Sequence, residues 1–195
     1  MAFIEPVTLK GRLAVLEPLT ATHHDALVAA ASDGELWKLW YTSVPAPAKT
    51  RDYIETALDM RDRHGAMPFV IRDNRNGDVV GSTRYFNVDA ANRRLEIGHT
   101  WHARSAQRTG INTECKLMLL AHAFETLKCI AVEFRTHWMN QQSRAAIARL
   151  GAKQDGILRN HQIASDGSYR DTVVFSIIES EWPAVKRHLQ FKLER

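Results

Sequence analysis

The segment SAQRTGINTECKLMLLAHAF, residues 105–124, runs a polar, glycine-punctuated turn straight into a long apolar helix. Gln107, Arg108, Gly110, Asn112 and Thr113 crowd the start of that helix with donors, where packing residues would be expected. The first N–H groups of a helix have no internal partner and stand at the positive end of its dipole. Gly110 lets a ligand approach the backbone closely, and Arg104 adds charge nearby. The arrangement suits a phosphate or pyrophosphate. A polar terminus that merely caps a buried helix is the other reading. There is no G-x-x-x-x-G-K-[ST], which argues against a nucleotide-hydrolysing P-loop, and no G-x-G-x-x-G after an early strand, which argues against a Rossmann unit.

Upstream, LEIGHTWHA carries two candidate bases, Glu96 and His99. A carboxylate at Glu96, or a water it holds, could remove a proton from an ammonium group. Strand alternation sets it on the face opposite Leu95, Ile97 and His99. Its structural alternative is an ion pair with Arg93 or Arg94. His99 competes because imidazole titrates near neutrality, against the plainer role of a packing residue. The nine histidines show no metal spacing. His23 and His24 are adjacent, and no H-x-x-x-H or Cys/His cluster exists, so no metal is expected.

These groups need a scaffold, and the periodicities alternate along the chain. TLKGRLAVLEPL reads as an opening strand ended by Pro18, and THHDALVAAASD as a helix with Thr20 or Thr22 as its cap. GELWKLWYTSVPAPAKT reads as an irregular aromatic segment. TRDYIETALDMRDRHG is helical, with Gly65 just past its end. MPFVIRD and VVGSTRYFNV form a hairpin about Asn76-Gly77, whose positive φ angles suit a tight turn. RRLEIGHTWHA is a strand, followed by the helix of residues 110–124 and the strand CIAVEFRTHW. A helix over 140–150 closes at Gly151. QDGILRNHQI and YRDTVVFSII make a last hairpin, and Ser180 caps a final helix. The order β-α-α-β-β-β-α-β-α-β-β-α predicts a mixed α/β fold, with antiparallel pairs flanking a central crossover.

The global numbers agree with one domain over residues 1–195. The chain is 45% hydrophobic and 25% charged, with no linker, repeat or low-complexity tract. Cys115 and Cys129 fit a reduced, cytoplasmic protein. MAFIEPVTLKGRL resembles no signal peptide, and the apolar run within 117–124 is too short for a bilayer. A net charge of +4 suits an acidic ligand. Its scatter, without an aromatic ladder, gives little reason to expect nucleic acid.

QRTGIN, between the strand LEIGHTWHA and a helix, resembles the Q/R-x-x-G-x-G/A acetyl-CoA motif of the GNAT N-acetyltransferases. NQQSRAAIARLGA is similar to the N-x-x-S-x-x-x-x-x-x-L-G-[FA] segment of the branch acting on ribosomal-protein N-termini. The element order agrees over roughly residues 7–178. The resemblance implies a single-domain fold with a mostly antiparallel twisted sheet flanked by helices. It implies direct transfer of acetyl from acetyl-CoA to a primary amine. A protein N-terminal α-amine comes first, then a small-molecule amine (amino acid, polyamine or antibiotic). A non-catalytic acyl-CoA- or RNA-binding module is the alternative. By resemblance, the backbone N–H groups of Arg108, Thr109, Gly110, Ile111 and Asn112 hold the pyrophosphate, with Gln107 and Thr113 beside them. Thr100, Trp101 and His102 pair with the pantetheine arm. Asn140 contacts the cofactor, and Ser143 protonates the departing thiolate. Asn112 departs from the motif, which has Gly or Ala there, and its side chain either bonds or crowds the pyrophosphate. Trp40 and Tyr41 would wall the acceptor side, Trp37 being a core residue, and Arg84 and Tyr85 would face the same cleft. RNHQIASDGSYRD closes that side or is only a solvated hairpin. An exposed final hairpin or helix would support a homodimer.

Overall fold

The computed structural model describes residues 3–42, 44–164 and 166–195. Eight strands form one sheet in the order β1-β2-β3-β4-β5-β6-β8-β7. They are β1 (Leu9–Lys10), β2 (Ala14–Pro18), β3 (Met67–Asp73), β4 (Val79–Asp89), β5 (Arg94–His102), β6 (Ala131–His137), β7 (Lys153–Ile163) and β8 (Tyr169–Ile178). The helices are α1 (His24–Ser32), α2 (Thr50–His64), α3 (Ile111–Ala121), α4 (Gln141–Ala148) and α5 (Trp182–Leu193). Every strand pairing is antiparallel except β5 with β6. That parallel pair needs the crossover through α3. No helix of the described residues is long and apolar enough to cross a membrane.

Adjacent residues on a strand point to opposite faces, and β4 shows which helices lie where. The Arg84 guanidinium stacks over Tyr53 of α2, while the Tyr85 hydroxyl donates to the Leu119 carbonyl of α3 at 2.6 Å. Thus α1 and α2 cover one face, and α3 with α5 the other. Leu16, Phe69, Ile71, Ile97, Leu119, Val132, Phe134 and Ile177 form the core between sheet and helices.

The gap that matters lies at the middle of the sheet. β5 and β6 pair only through Arg94–Ala131, Leu95–Val132 and Glu96–Glu133, after which the strands part. A bulge in β5 accompanies the parting. The register with β4 shifts between Ser82 and Arg84, and His99 takes a φ of 48°. An extra residue in one strand bends it and increases its twist.

Three local expectations change. The opening strand is a short hairpin, β1 and β2, because the turn after Lys10 bonds elsewhere: Glu114 of α3 accepts the N–H groups of Arg12, Leu13 and Ala14 at 2.7–2.9 Å. Of Asn76-Gly77, only Gly77 has positive φ, at 80°. The hairpin therefore closes in a longer loop, with Asp73 accepting from Gly77 and donating to Asp78. Ser180 lies inside a single 3-10 turn, Glu179–Glu181, and does not cap α5.

Candidate active site

On the α3 side of the gap the turn expected to bind an anion has the required form. Arg108 and Gly110 both take left-handed backbone angles, φ 62° and 86°, which turn the chain sharply into α3. The N–H groups of Ile111, Asn112 and Thr113 have no hydrogen bond among the described residues. Asn112 places its amide oxygen in a buried position without a partner. A buried acceptor of this kind is costly unless a donor arrives. The side chains of two residues expected at the anion make hydrogen bonds within the loop. Gln107 donates to the His102 carbonyl at 3.1 Å, and the Thr109 hydroxyl to the Ala106 carbonyl at 2.7 Å. Asp33 anchors the loop from α1's end by accepting the Ser105 N–H at 2.9 Å; the Ser105 hydroxyl first, and that N–H after it, holds its carboxyl below the usual range.

β5 beyond Glu96 lacks a neighbouring strand on the β6 side, so the stretch from Thr100 to His102 lies at an open edge there, with the His102 carbonyl already taken by Gln107. The three side chains do other things. The Trp101 indole is buried on the α2 face and donates to Tyr53 at 3.3 Å. His102 is buried on the α3 face, and that burial, with Lys116 nearby, pushes its imidazole down to about 3. Thr100 accepts from Lys116, whose Nζ lies 2.7 Å from its hydroxyl and 5.9 Å from the centre of the Phe134 ring. Burial pushes Lys116 down to about 8, so it still carries its proton at neutral pH. An ammonium between the parted strands can stabilise negative charge developing on an oxygen or sulfur there. Lys116 was missed in the sequence, although a lone lysine inside the apolar run CKLMLL is a readable signal. Asn140 caps α4 by accepting the Ser143 N–H at 3.0 Å. The Ser143 hydroxyl has no partner among the described residues and remains available as a donor.

The α2 side holds the basic and aromatic groups. Glu96 is 3% exposed, accepts from Asn87 at 2.9 Å and lies 3.4 Å from Arg135. Burial raises its carboxyl to about 7 despite those two partners. It is not paired with Arg94, which binds Glu133. The bulge brings His99 onto this face, against the simple alternation: its ring meets Phe86, the residue opposite Glu96. Desolvation, with Arg84 and Arg170 adding to it, pushes His99 down to about 3, so it is a neutral imidazole and no base at pH 7. A cleft of about 280 Å³ opens beside it, lined by Pro45, Lys49, Asp52, Tyr53, Thr56, Arg84 and His99.

Trp40 is exposed and stands edge-on to His137 of β6, 5.0 Å between ring centres, with Tyr41 against it. Trp37 packs on the core, as its helical spacing suggests. Tyr85 does not face the cleft. It is fully buried on the α3 face, because neighbours on one strand cannot share a side with Arg84. Arg135, Arg170 and Tyr53 join the site unannounced; only the folded sheet brings β8 beside β6.

The sheet thus parts beside the exposed N–H groups of a helix start, with a buried carboxylate at the edge of the gap. The family model described as "Acetyltransferase (GNAT) domain" matches residues 14–153. "Putative ribosomal N-acetyltransferase YdaF" of Bacillus subtilis (strain 168) is 30% identical over 152 residues, covering 75% of this chain and 80% of that protein. A GCN5-related N-acetyltransferase from Brucella melitensis has a solved structure with a TM-score of 0.83. It is 32% identical, over 96% of this chain and 85% of that one. RimL, a ribosomal L7/L12 alpha-N-protein acetyltransferase, shares the fold at 18% identity and a TM-score of 0.75, over 88% of this chain and 94% of that one. The chain belongs to the GNAT acetyltransferase family and is an acetyl-CoA-dependent N-acetyltransferase.

Proposed function

We propose that the enzyme acetylates a protein N-terminal α-amine, with a ribosomal protein as the first candidate. The observation that carries this reading is Glu96, a buried carboxylate at the edge of the gap with its proton affinity raised to about 7. An α-ammonium group has a pKa near 8 and a lysine side chain one near 10.4. Transfer of the proton to Glu96 is thus uphill by about 1.4 kcal/mol for the first and about 5 kcal/mol for the second. The likeness to YdaF supports the same acceptor.

In this reading Glu96, directly or through a water, takes the ammonium proton, and the freed amine attacks the thioester carbonyl. The C–N bond forms and the C–S bond breaks; the second proton, shed by the acylated nitrogen, is relayed through Ser143 to the departing sulfur, so the hydroxyl ends protonated. The N–H groups at the start of α3 hold the pyrophosphate. The open edge of β5 pairs with the pantetheine arm and fixes the geometry of attack. Lys116 and the helix start balance the negative charge that develops.

The test is thiol release from acetyl-CoA with a panel of acceptors: free-N-terminus peptides, N-terminally blocked peptides carrying lysine, polyamines and amino acids. Mass spectrometry then locates the acetyl group. Modification confined to the α-amine of peptides supports the proposal. A clear preference for lysine or a polyamine overturns it.

A further inference from the structure

The cleft beside His99 is lined by two cations, Lys49 and Arg84, and one acid, Asp52. Arg84 is 1% exposed, yet its guanidinium has no carboxylate within ion-pair distance among the described residues. Its Nη1 points at the Met60 sulfur, 3.3 Å away, and its plane lies 5.1 Å from the centre of the Tyr53 ring. The other edge, Nε with Nη2, donates to nothing among the described residues, and Nε is fully buried. With Nε sealed, Nη2 is the donor left to meet a carboxylate at the cleft. Asp52, the acid lining the cleft, is engaged by Lys49 at 3.0 Å. Arg170 of β8 adds a second buried Nε without a partner, close enough to influence Glu96, His99 and His137. A thioether and a ring face replace little of the water a guanidinium loses, and unpaired buried charge is expensive.

Register gives the distance. Arg84 lies opposite Gly98, and Glu96 is two residues back along β5 on the same face. Such diagonal neighbours are about 7–8 Å apart. An extended chain advances about 3.3–3.6 Å per residue, so one or two residues of an acceptor peptide match that backbone spacing.

We propose that the acceptor carries a carboxylate one or two residues from its reacting amine, and that the Arg84 guanidinium grips it through Nη2, with His99 and Arg170 alongside. The proposal rests on the N-terminal reading above and narrows it to acidic N-termini. The carboxylate of a free amino acid has the same chemistry and is the rival source.

The experiment measures kcat/KM of the wild-type enzyme at saturating acetyl-CoA for peptide pairs differing only as Glu or Gln at residue 1 or 2. Free glutamate and its α-amide form a second arm. Arg84→Lys and Arg84→Met are read as the Glu/Gln ratio, so a general loss of rate does not disturb the comparison. Thermal melts and acetyl-CoA titration check their fold. The expected result is a preference for Glu of at least about tenfold, as for a charge-assisted bond, reduced in Arg84→Lys and near one in Arg84→Met. A wild-type ratio near one overturns the carboxylate site and leaves the N-terminal reading standing. Should Arg84→Met not fold, the wild-type ratio and Arg84→Lys decide; a tenfold ratio unchanged in a folded variant overturns Arg84 as the grip. Free glutamate used well, its amide poorly and every peptide refused would keep the carboxylate site and overturn the N-terminal acceptor. A carboxylate-free polyamine preferred to all would overturn both.

Discussion

Glu96 shows how one residue's surroundings set both rate and stability. Its carboxyl, raised to about 7 by burial, is the group expected to appear in the pH profile. In the wild type kcat/KM should rise with pH through about 7 as Glu96 ionises. Glu96→Gln should lower kcat/KM by about 10²–10⁴-fold and remove that inflection. His99, held neutral by its pKa of about 3, adds no inflection of its own. Stability should move the opposite way. A carboxyl that keeps its proton to about 7 when folded, but loses it near 4.3 when unfolded, favours the fold at low pH. That contribution is lost as pH rises through 7. The buried carboxylate therefore costs on the order of 3 kcal/mol at pH 8, and Glu96→Gln should melt higher there while differing little at pH 4. A melt at pH 8 no higher than wild type would contradict this. The candidate base was legible in LEIGHTWHA, but its face-mates were not. Alternation cannot show a bulge, so His99 moved to the side of Glu96 and Tyr85 went to the opposite one.

At the scale of elements, α3 does more than present its first N–H groups. Glu114, one turn into the helix, receives three backbone N–H groups from the turn between β1 and β2. The first hairpin is thereby tied to the cofactor end of the site across 100 residues of sequence. Charge-assisted bonds to a buried carboxylate are among the stronger ones, and removing it strands their donors. Glu114→Ala should destabilise the fold by about 2–4 kcal/mol in chemical denaturation and weaken acetyl-CoA binding in titration. Unchanged stability would mean that water replaces the carboxylate without loss. The sharp turn into α3, the crossover and the paired hairpins were readable because each depends on local chemistry. Glu114 looked like any acid in a first helical turn, since its partners are distant in sequence. Arg135 comes beside Glu96 through the pairing of β5 with β6, and Arg170 comes near through that of β6 with β8, neither of which sequence spacing encodes.

At the scale of the molecule, the sheet is two halves that meet through three residue pairs of β5 and β6. Five strands lie on one side of that junction and three on the other. A co-substrate filling the parted edges would bond to both halves, so its effect should not stop at α3. Hydrogen exchange should slow on acetyl-CoA binding along the far ends of both β5 and β6, and the melt should rise. The gain is about 2.7 kcal/mol at a hundred times Kd. Protection confined to α3 would show that the strands are indifferent to occupancy. A sheet joined over so short a length behaves like two plates on a narrow weld, stiff within each plate and compliant at the join. Acetyl-CoA and released CoA, which share the arm that fills the crack, would brace it almost equally. The loosest moment of the catalytic cycle would then be the empty one, between departure of one CoA and arrival of the next.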